Sequence, residues 1–485
     1  MTTLTREDVL QEIQKCNEEI VEAERVGQAT SAQLRLCLQK QILNSLLPIS
    51  QLPDETLLEI FTAYCSQESE TYIIEPFCAV RLTHICSRWR AVAIACPTLW
   101  NVIDLTWPAW TIDVIPRSKE APLTVAFRGT FLRREPTRCI IEHILSTRSH
   151  QIVSFRMKLF CVTTSWLDEI PTSSMTALKT LVIGGFHPIF ARGLHNSIQH
   201  IQVHSNWGQL VEPLLLLFRP NLHTLDLSLP DTESGQLSWR DCIRALGAMH
   251  FLRRLFFKNV FNGGLDTREP IARITLPLLI ELSIKADIAA CTMFIDHIGT
   301  PSLTTATVTA KRCQLIQEID FFCLTISKMA RFNWISSTSN RLMTKRSDTF
   351  VELSVKLYLD LEDRHLLNVC LEGERSFVQQ LDLNPLVSRL DFPNVDYITI
   401  ESFDPSLLIL SRLPTITTLC LTRASLPYIP SLLRPRREGD TLFQPFPNFN
   451  KLIINRPSEL KEQLSAITTT FQERTLPSVF QILLL

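Results

Sequence analysis

Glycine is scarce in this chain, 13 of 485 residues, and none of the glycine-dependent catalytic signatures occurs. G-x-x-x-x-G-K-[ST] and G-x-G-x-x-G, which hold phosphate groups on backbone N–H donors, are absent, as is the G-x-S-x-G nucleophile elbow. H-E-x-x-H is missing too. The 14 cysteines stand singly, with no two at C-x-x-C spacing, which excludes the common zinc and thiol–disulfide motifs and leaves them as reduced, mostly buried small side chains. No apolar run approaches the ~18 residues needed to span a bilayer, and there is no N-x-[ST] acceptor. The opening stretch MTTLTREDVLQEI carries charge where a secretory signal would be apolar. Strong charge of either sign is lacking as well. Forty-eight basic against 49 acidic residues give a formal net charge of -1, so no global field draws the protein to nucleic acid or an anionic membrane. Arg133-Arg134, Arg253-Arg254 and the run from Arg434 to Arg437 read as solvated surface. These absences imply a cytoplasmic or nuclear protein with no catalytic residues, no metal site and no cofactor. It is expected to have no nucleic-acid or membrane partner.

What is present falls into three parts. Residues 1–46 read as a helical hairpin or short coiled coil. Val9, Ile13, Cys16, Ile20 and Ala23 recur in steps of four and three, a turn-forming stretch from Gly27 to Ser31 intervenes, and Leu34, Leu38, Ile42 and Leu46 resume an apolar stripe. The seam is too short for a long coiled coil and favours packing within the chain over dimerisation.

Residues 47–106 form the second part. Pro53 suits a first helical turn, and Asp54 and Glu55 put negative charge at the positive end of the helix dipole. Leu57, Ile60, Phe61 and Tyr64 then follow at helical spacing, and Ala79, Leu82, Cys86, Trp89 and Ala93 do the same on what reads as a second helix. Leu-Pro-Asp-Glu opening a helix, followed by Val80, Cys86, the Arg88-Trp89-Arg90 triplet and Leu99-Trp100, resembles the F-box motif over residues 49–105. The departure is the widened gap at Ser66 to Pro76. The resemblance implies docking to the small SKP-type adaptor of a cullin-based ubiquitin ligase. It points to Leu52, Pro53, Leu57, Ile60, Phe61, Val80, Ile85, Cys86, Trp89, Leu99 and Trp100 as adaptor-binding residues.

Residues 107–485 carry a third pattern. The template apolar-x-x-apolar-x-apolar occurs at Ile152/Phe155/Met157, Leu178/Leu181/Ile183, Ile198/Ile201/Val203, Leu222/Leu225/Leu227, Leu252/Leu255/Phe257, Leu279/Leu282/Ile284 and Leu303/Ala306/Val308. It recurs at Phe350/Leu353/Val355, Val395/Ile398/Ile400, Ile416/Leu419/Leu421 and Phe449/Leu452/Ile454, with weaker copies read at Met329/Phe332/Trp334 and Val378/Leu381/Leu383. Spacings of 20 to 30 residues between the first seven copies approach the period of leucine-rich repeats. Helix-like stretches lie between, such as Trp239 to Met249, Ile288 to Ile298 and Ser406 to Leu413. The whole chain thus resembles F-box proteins with leucine-rich repeats, of the irregular kind found in large fungal families. Regular repeats place Asn or Cys eight residues after the first apolar position, and here only Asn206 does so; Phe186, Pro230, Val260 and Asp287 occupy other copies of that place. Uneven repeats are therefore expected. The proline-rich stretch from Leu426 to Pro447 reads as a surface loop.

The expected fold is α/β: a helical hairpin and F-box helices, then an irregular leucine-rich-repeat-like solenoid. The expected function is that of a non-enzymatic substrate adaptor. A scaffold that holds the SKP-type adaptor without a ligase, and a plain repeat protein whose helices cap the array, are the alternatives. In each strand the residues between apolar positions point to the open face. That rule selects His200, His204, Asp226, Arg254, Phe256, Lys258, Glu281, Lys285, Tyr397 and Glu401 for contact with an unknown protein target. His200 and His204 share a strand face with no Cys, Asp or Glu placed to complete a metal shell, and read as surface or groove histidines.

Overall fold

The computed structural model describes residues 5–25, 30–67, 78–129, 135–159, 174–184, 193–204, 214–231, 237–262, 271–312, 316–333, 340–346, 350–357, 364–372, 395–400, 415–421, 433–434, 436–438, 441–454 and 481–484. These divide into two compact units: Met1–Val162 with Ser173–Leu178, and Thr163–Thr172 with Lys179–Leu485. The fold is mixed α/β, with a large and mostly parallel sheet.

In the first unit, α1 (Arg6–Arg25) opens on a reciprocal cap. Thr5 donates to the Asp8 carboxylate through its N–H at 2.9 Å and its hydroxyl at 2.7 Å, and the Asp8 N–H donates back to Thr5 Oγ1 at 3.3 Å. The hydroxyl bond chiefly, then the N–H bond, holds the Asp8 carboxyl below its ordinary value. Helix α2 (Thr30–Ser45) packs against α1, tied by Arg35 to Glu19 at 2.6 Å. Val9 and Cys16 are buried, as the seam pattern requires. The stripe expected on α2 is not the buried one. Leu34 is 68% exposed and Leu38 55%, and Leu46 is exposed too, with Ile42 alone of that stripe partly covered, whereas Leu36 and Leu43 on the other side of the helix are partly covered. Apolar residues lie on two sides of α2, and α1 covers only one.

A 3-10 turn at Pro48–Gln51 leads to α3 (Asp54–Gln67). Pro53 caps it from outside, its carbonyl accepting from the Leu57 N–H at 3.1 Å. The second helix expected from sequence is two: α4 (Cys78–Thr83) and α5 (Ser87–Ala95). Cys86 is not inside a helix but extended, with φ -156°, and its sulfur accepts the Trp89 N–H at 3.4 Å as the cap of α5. Three-residue turns, His84 N–H to Arg81 O and Ile85 N–H to Leu82 O, close α4 just before it. Leu57, Phe61, Ala79, Leu82, Val92, Ala93, Leu99 and Trp100 form the small core. The buried Trp100 indole donates to Ala93 O at 2.8 Å, and Arg117 lies 4.6 Å above its ring. Helices α6 (Pro108–Ser118) and α7 (Glu135–Arg148) accompany parallel strands Val102–Asp104, Leu123–Gly129 and Ile152–Leu159.

In the second unit, strands Thr180–Gly184, His200–His204, Thr224–Ser228, Arg254–Lys258, Glu281–Asp287 and Thr305–Lys311 lie side by side in that order. All are parallel and pair without a register slip. Every apolar position of the six corresponding template copies is buried. Helices α8 (Trp239–Leu246) and α9 (Ile288–Asp296) intervene in sequence, and α10 (Ile316–Asn333) follows the last of the six. The copy at Phe350/Leu353/Val355 breaks the parallel run: strand Phe350–Leu357 is antiparallel to both its neighbours, Asn340–Arg346 and Arg364–Glu372. Arg364–Glu372, not Asn340–Arg346, pairs with Thr305–Lys311, so the chain order inverts there before parallel pairing resumes at Val395–Ile400, Thr418–Leu421, Lys451–Ile454 and Gln481–Leu484. Met329 and Phe332, read as a strand copy, belong to α10, whose apolar residues satisfy a helical period equally well. The proline-rich stretch holds a small antiparallel pair, Arg436–Glu438 with Thr441–Phe443, and its Leu433 and Phe446 are buried. Val378/Leu381/Leu383, Ser406 to Leu413, Trp334, Phe186 and Asn206 lie outside the described residues.

A turn asparagine is nevertheless present one position from its expected place. Asn259 precedes the buried Val260, adopts a left-handed φ of 57°, and donates through Nδ2 to Leu229 O at 3.1 Å and through its N–H to Lys285 O at 2.6 Å. It joins the turns that end Thr224–Ser228 and Arg254–Lys258 to each other and to the strand Glu281–Asp287.

Candidate functional site

Two surfaces, one in each unit, carry the side chains singled out by sequence. In the first unit the geometry begins with Arg88. Its guanidinium donates to Asp54 Oδ1 at 2.7 and 3.2 Å, to Leu52 O at 2.5 Å and to Ser50 O. This fork binds the start of α3 to the first turn of α5. Trp89 stacks at a tilt on Phe61, with centroids 4.8 Å apart, and Arg90 Nε donates to Thr83 O at 2.8 Å. The triplet therefore holds three helices in one arrangement.

The eleven residues expected to bind an adaptor separate into three groups. Leu57, Phe61, Leu99 and Trp100 are buried in the unit's own core. Pro53, Ile60 and Ile85 face solvent, and Leu52, Val80, Cys86 and Trp89 are partly covered. On α3 the spacing of four occurs twice: Leu57 and Phe61 point inward while Ile60 and Tyr64 point outward. The sequence reading merged these into one stripe. Ile49 and Ile94 are also exposed and were missed as candidates.

In the second unit the parallel register brings eight of the ten target-contact candidates onto neighbouring strands. Gln202, Asp226, Phe256, Ser283 and Thr307 are direct cross-strand neighbours. Gln202 Nε2 donates to Asp226 Oδ2 at 2.9 Å and lies 2.7 Å from His204 Nε2, which is 3.8 Å from the same carboxylate. His200 Nδ1 is 3.1 Å from Thr224 Oγ1. Further along, Arg254 faces Glu281 at 3.5 Å and Lys285 pairs with Glu372 at 2.6 Å. Lys258 is exposed beside them. An open cleft of about 480 Å³ is lined by Phe256, Ile280, Glu281, Ser283, Thr305 and Thr307. Tyr397 is not part of this cluster, because three strands separate its strand from Thr305–Lys311. Glu401 lies outside the described residues.

Thr305 and Thr307 were missed although the same alternation rule selects them. Glu372 gave no such indication, since it reaches Lys285 only through the inverted strand order. Phe256 and Ile280 give the cleft its apolar lining, Ser283, Thr305 and Thr307 its hydroxyls and Glu281 a carboxylate. Among the described residues, no group of three or more His, Cys, Asp or Glu side chains could hold a metal ion, and no helix is long and apolar enough to cross a membrane. Compared with known proteins, the chain matches no family model and no curated protein.

Proposed function

We propose that the chain is a non-enzymatic F-box-type substrate adaptor. Its α3–α5 helices dock the SKP-type adaptor of a cullin-based ubiquitin ligase, and its second unit recruits a protein target in the cytoplasm or nucleus. The observation that carries this reading is the exposure of Ile60 and Tyr64 on α3, Ile85 in the turn between α4 and α5, and Ile94 on α5, while Leu57, Phe61, Val92 and Ala93 of the same helices are buried. Large apolar side chains left in water beside a buried set favour a protein partner. In the second unit, regular parallel pairing over six strands supports an irregular leucine-rich-repeat-like solenoid whose open face bears the cleft beside Phe256. Ubiquitin transfer would be aided by raised local concentration, with the chemistry supplied by partners.

Two pull-downs test the two halves. A Leu52→Ala/Pro53→Ala chain should lose a purified SKP-type adaptor while its circular dichroism is unchanged; retention overturns the docking assignment. Arg254→Glu/Lys258→Glu should lose target capture and keep adaptor binding; if both survive, this face is not the recognition surface. Cullin in the adaptor complex separates a ligase subunit from a ligase-free scaffold.

A further inference from the structure

The second apolar side of α2 is exposed among the described residues, and its surroundings identify what fits it. Leu34 and Leu38 are 68% and 55% exposed, one turn apart, on the side of α2 away from the partly covered Leu36 and Leu43. Helix α1 shows the matching deficiency. Leu10 and Val21, three turns apart and so on one edge, are exposed while Val9 and Cys16 are buried. The hairpin thus buries one seam and leaves apolar side chains on both helices.

Charge decides among occupants. Helix α1 carries seven acidic against three basic residues, whereas α2 carries Arg35 and Lys40 and no acid at all. Within one hairpin the Arg35–Glu19 pair uses part of this asymmetry, and Lys40 is exposed. A surface holding an acidic half and a basic half, each with its own apolar residues, is complementary to a copy of itself related by a two-fold axis. We propose that two copies of the chain associate through α1 and α2. The α2 leucines of each copy lie on the α1 edge of the other, giving a four-helix bundle with a basic helix beside an acidic one at both contacts. The consequence is a bivalent molecule that presents two second units to one target, which raises avidity without any new contact.

Sedimentation velocity of the full chain at about 10 μM tests this, since most stable dimers with dissociation constants in the micromolar range or below are visible there. The expected result is a particle of twice 55.4 kDa. Leu34→Glu/Leu38→Glu places carboxylates in the pairing surface without touching the buried seam, and should weaken association by ~100-fold or more with unchanged circular dichroism. Lys40→Glu should weaken it less, and raised salt should weaken the wild-type dimer as screening removes the charge term. A wild-type monomer overturns the proposal, as does a dimer that the leucine variant leaves intact. A monomer whose Cys37, exposed on α2, becomes protected from maleimide only when SKP-type adaptor is added also overturns it and gives the stripe to that partner.

Discussion

Arg88 lies 2.7 Å from Asp54, and the same guanidinium holds the carbonyls of Leu52 and Ser50. One side chain from the first turn of α5 thereby satisfies three acceptors around the start of α3, where the loose carbonyls precede the helix. The ion pair is more than a third exposed at both ends and contributes little by itself. The carbonyl bonds matter more. Arg88→Ala is expected to cost about 1–3 kcal/mol of stability in the first unit, measured by urea unfolding of the full chain, because several acceptors lose their donor together. Arg88→Lys should recover only part, since an ammonium cannot fork across three sites. An unchanged unfolding midpoint for Arg88→Ala would show that water replaces the guanidinium without loss.

The two faces of α3 should respond differently to substitution. Leu57→Ala removes a fully buried side chain and should destabilise by about 2–5 kcal/mol. Ile60→Glu and Ile85→Glu change exposed positions and should stay within about 0.5 kcal/mol of wild type. If the helices dock an adaptor as proposed, these two variants lose it in a pull-down while remaining folded. Loss of folding in Ile60→Glu would mean that the exposed face is structural.

The buried positions of the second unit were legible because a strand exposes alternate side chains to alternate faces, and Leu225 and Leu227 read the same in sequence as in the sheet. Strand direction was not legible. Phe350, Leu353 and Val355 satisfy the same alternation whether their strand runs parallel or antiparallel, so the inverted order around it left no mark in the template. Helix faces were ambiguous for a related reason. On α3 two apolar sets at spacing four lie side by side and on α2 two apolar sets lie on opposite sides, and only packing selects Leu57 over Ile60, or Leu36 over Leu34, as the covered one. The Arg88 fork was invisible because its acceptors are mostly backbone carbonyls, which any residue supplies.

Asn259 offers a test of turn chemistry. Its positive φ costs little for Asn or Gly but strains most other residues, and its side-chain bond to Leu229 O is buried. Asn259→Ala should lower stability by about 1–3 kcal/mol, combining backbone strain with an unsatisfied carbonyl. Asn259→Gly should relieve the strain alone and fall between alanine and wild type in urea midpoint. Equal loss in both variants would assign the whole effect to the hydrogen bond.

The ion pair of Lys311 with Asp231 predicts a pH dependence. Lys311 is nearly buried, with 10% of its side chain exposed, while the Asp231 side chain 2.5 Å away is 60% exposed. The hydrogen bond from Lys311 chiefly, helped by the charges of Lys311, Arg312 and Lys285, holds the Asp231 carboxyl below its ordinary value. A carboxyl with a depressed folded-state pKa stabilises the fold at pH above its unfolded value of about 3.9, and that contribution is lost as pH falls through the folded value. Asp231→Asn should therefore lower the urea midpoint at pH 7, where it leaves a nearly buried ammonium facing a neutral amide. As pH falls below the unfolded value and on through the folded one, the wild-type carboxyl takes up its proton and the two chains should converge. A difference that does not shrink as pH is lowered past about 3.9 would mean that shape, not charge, holds Asp231 against Lys311.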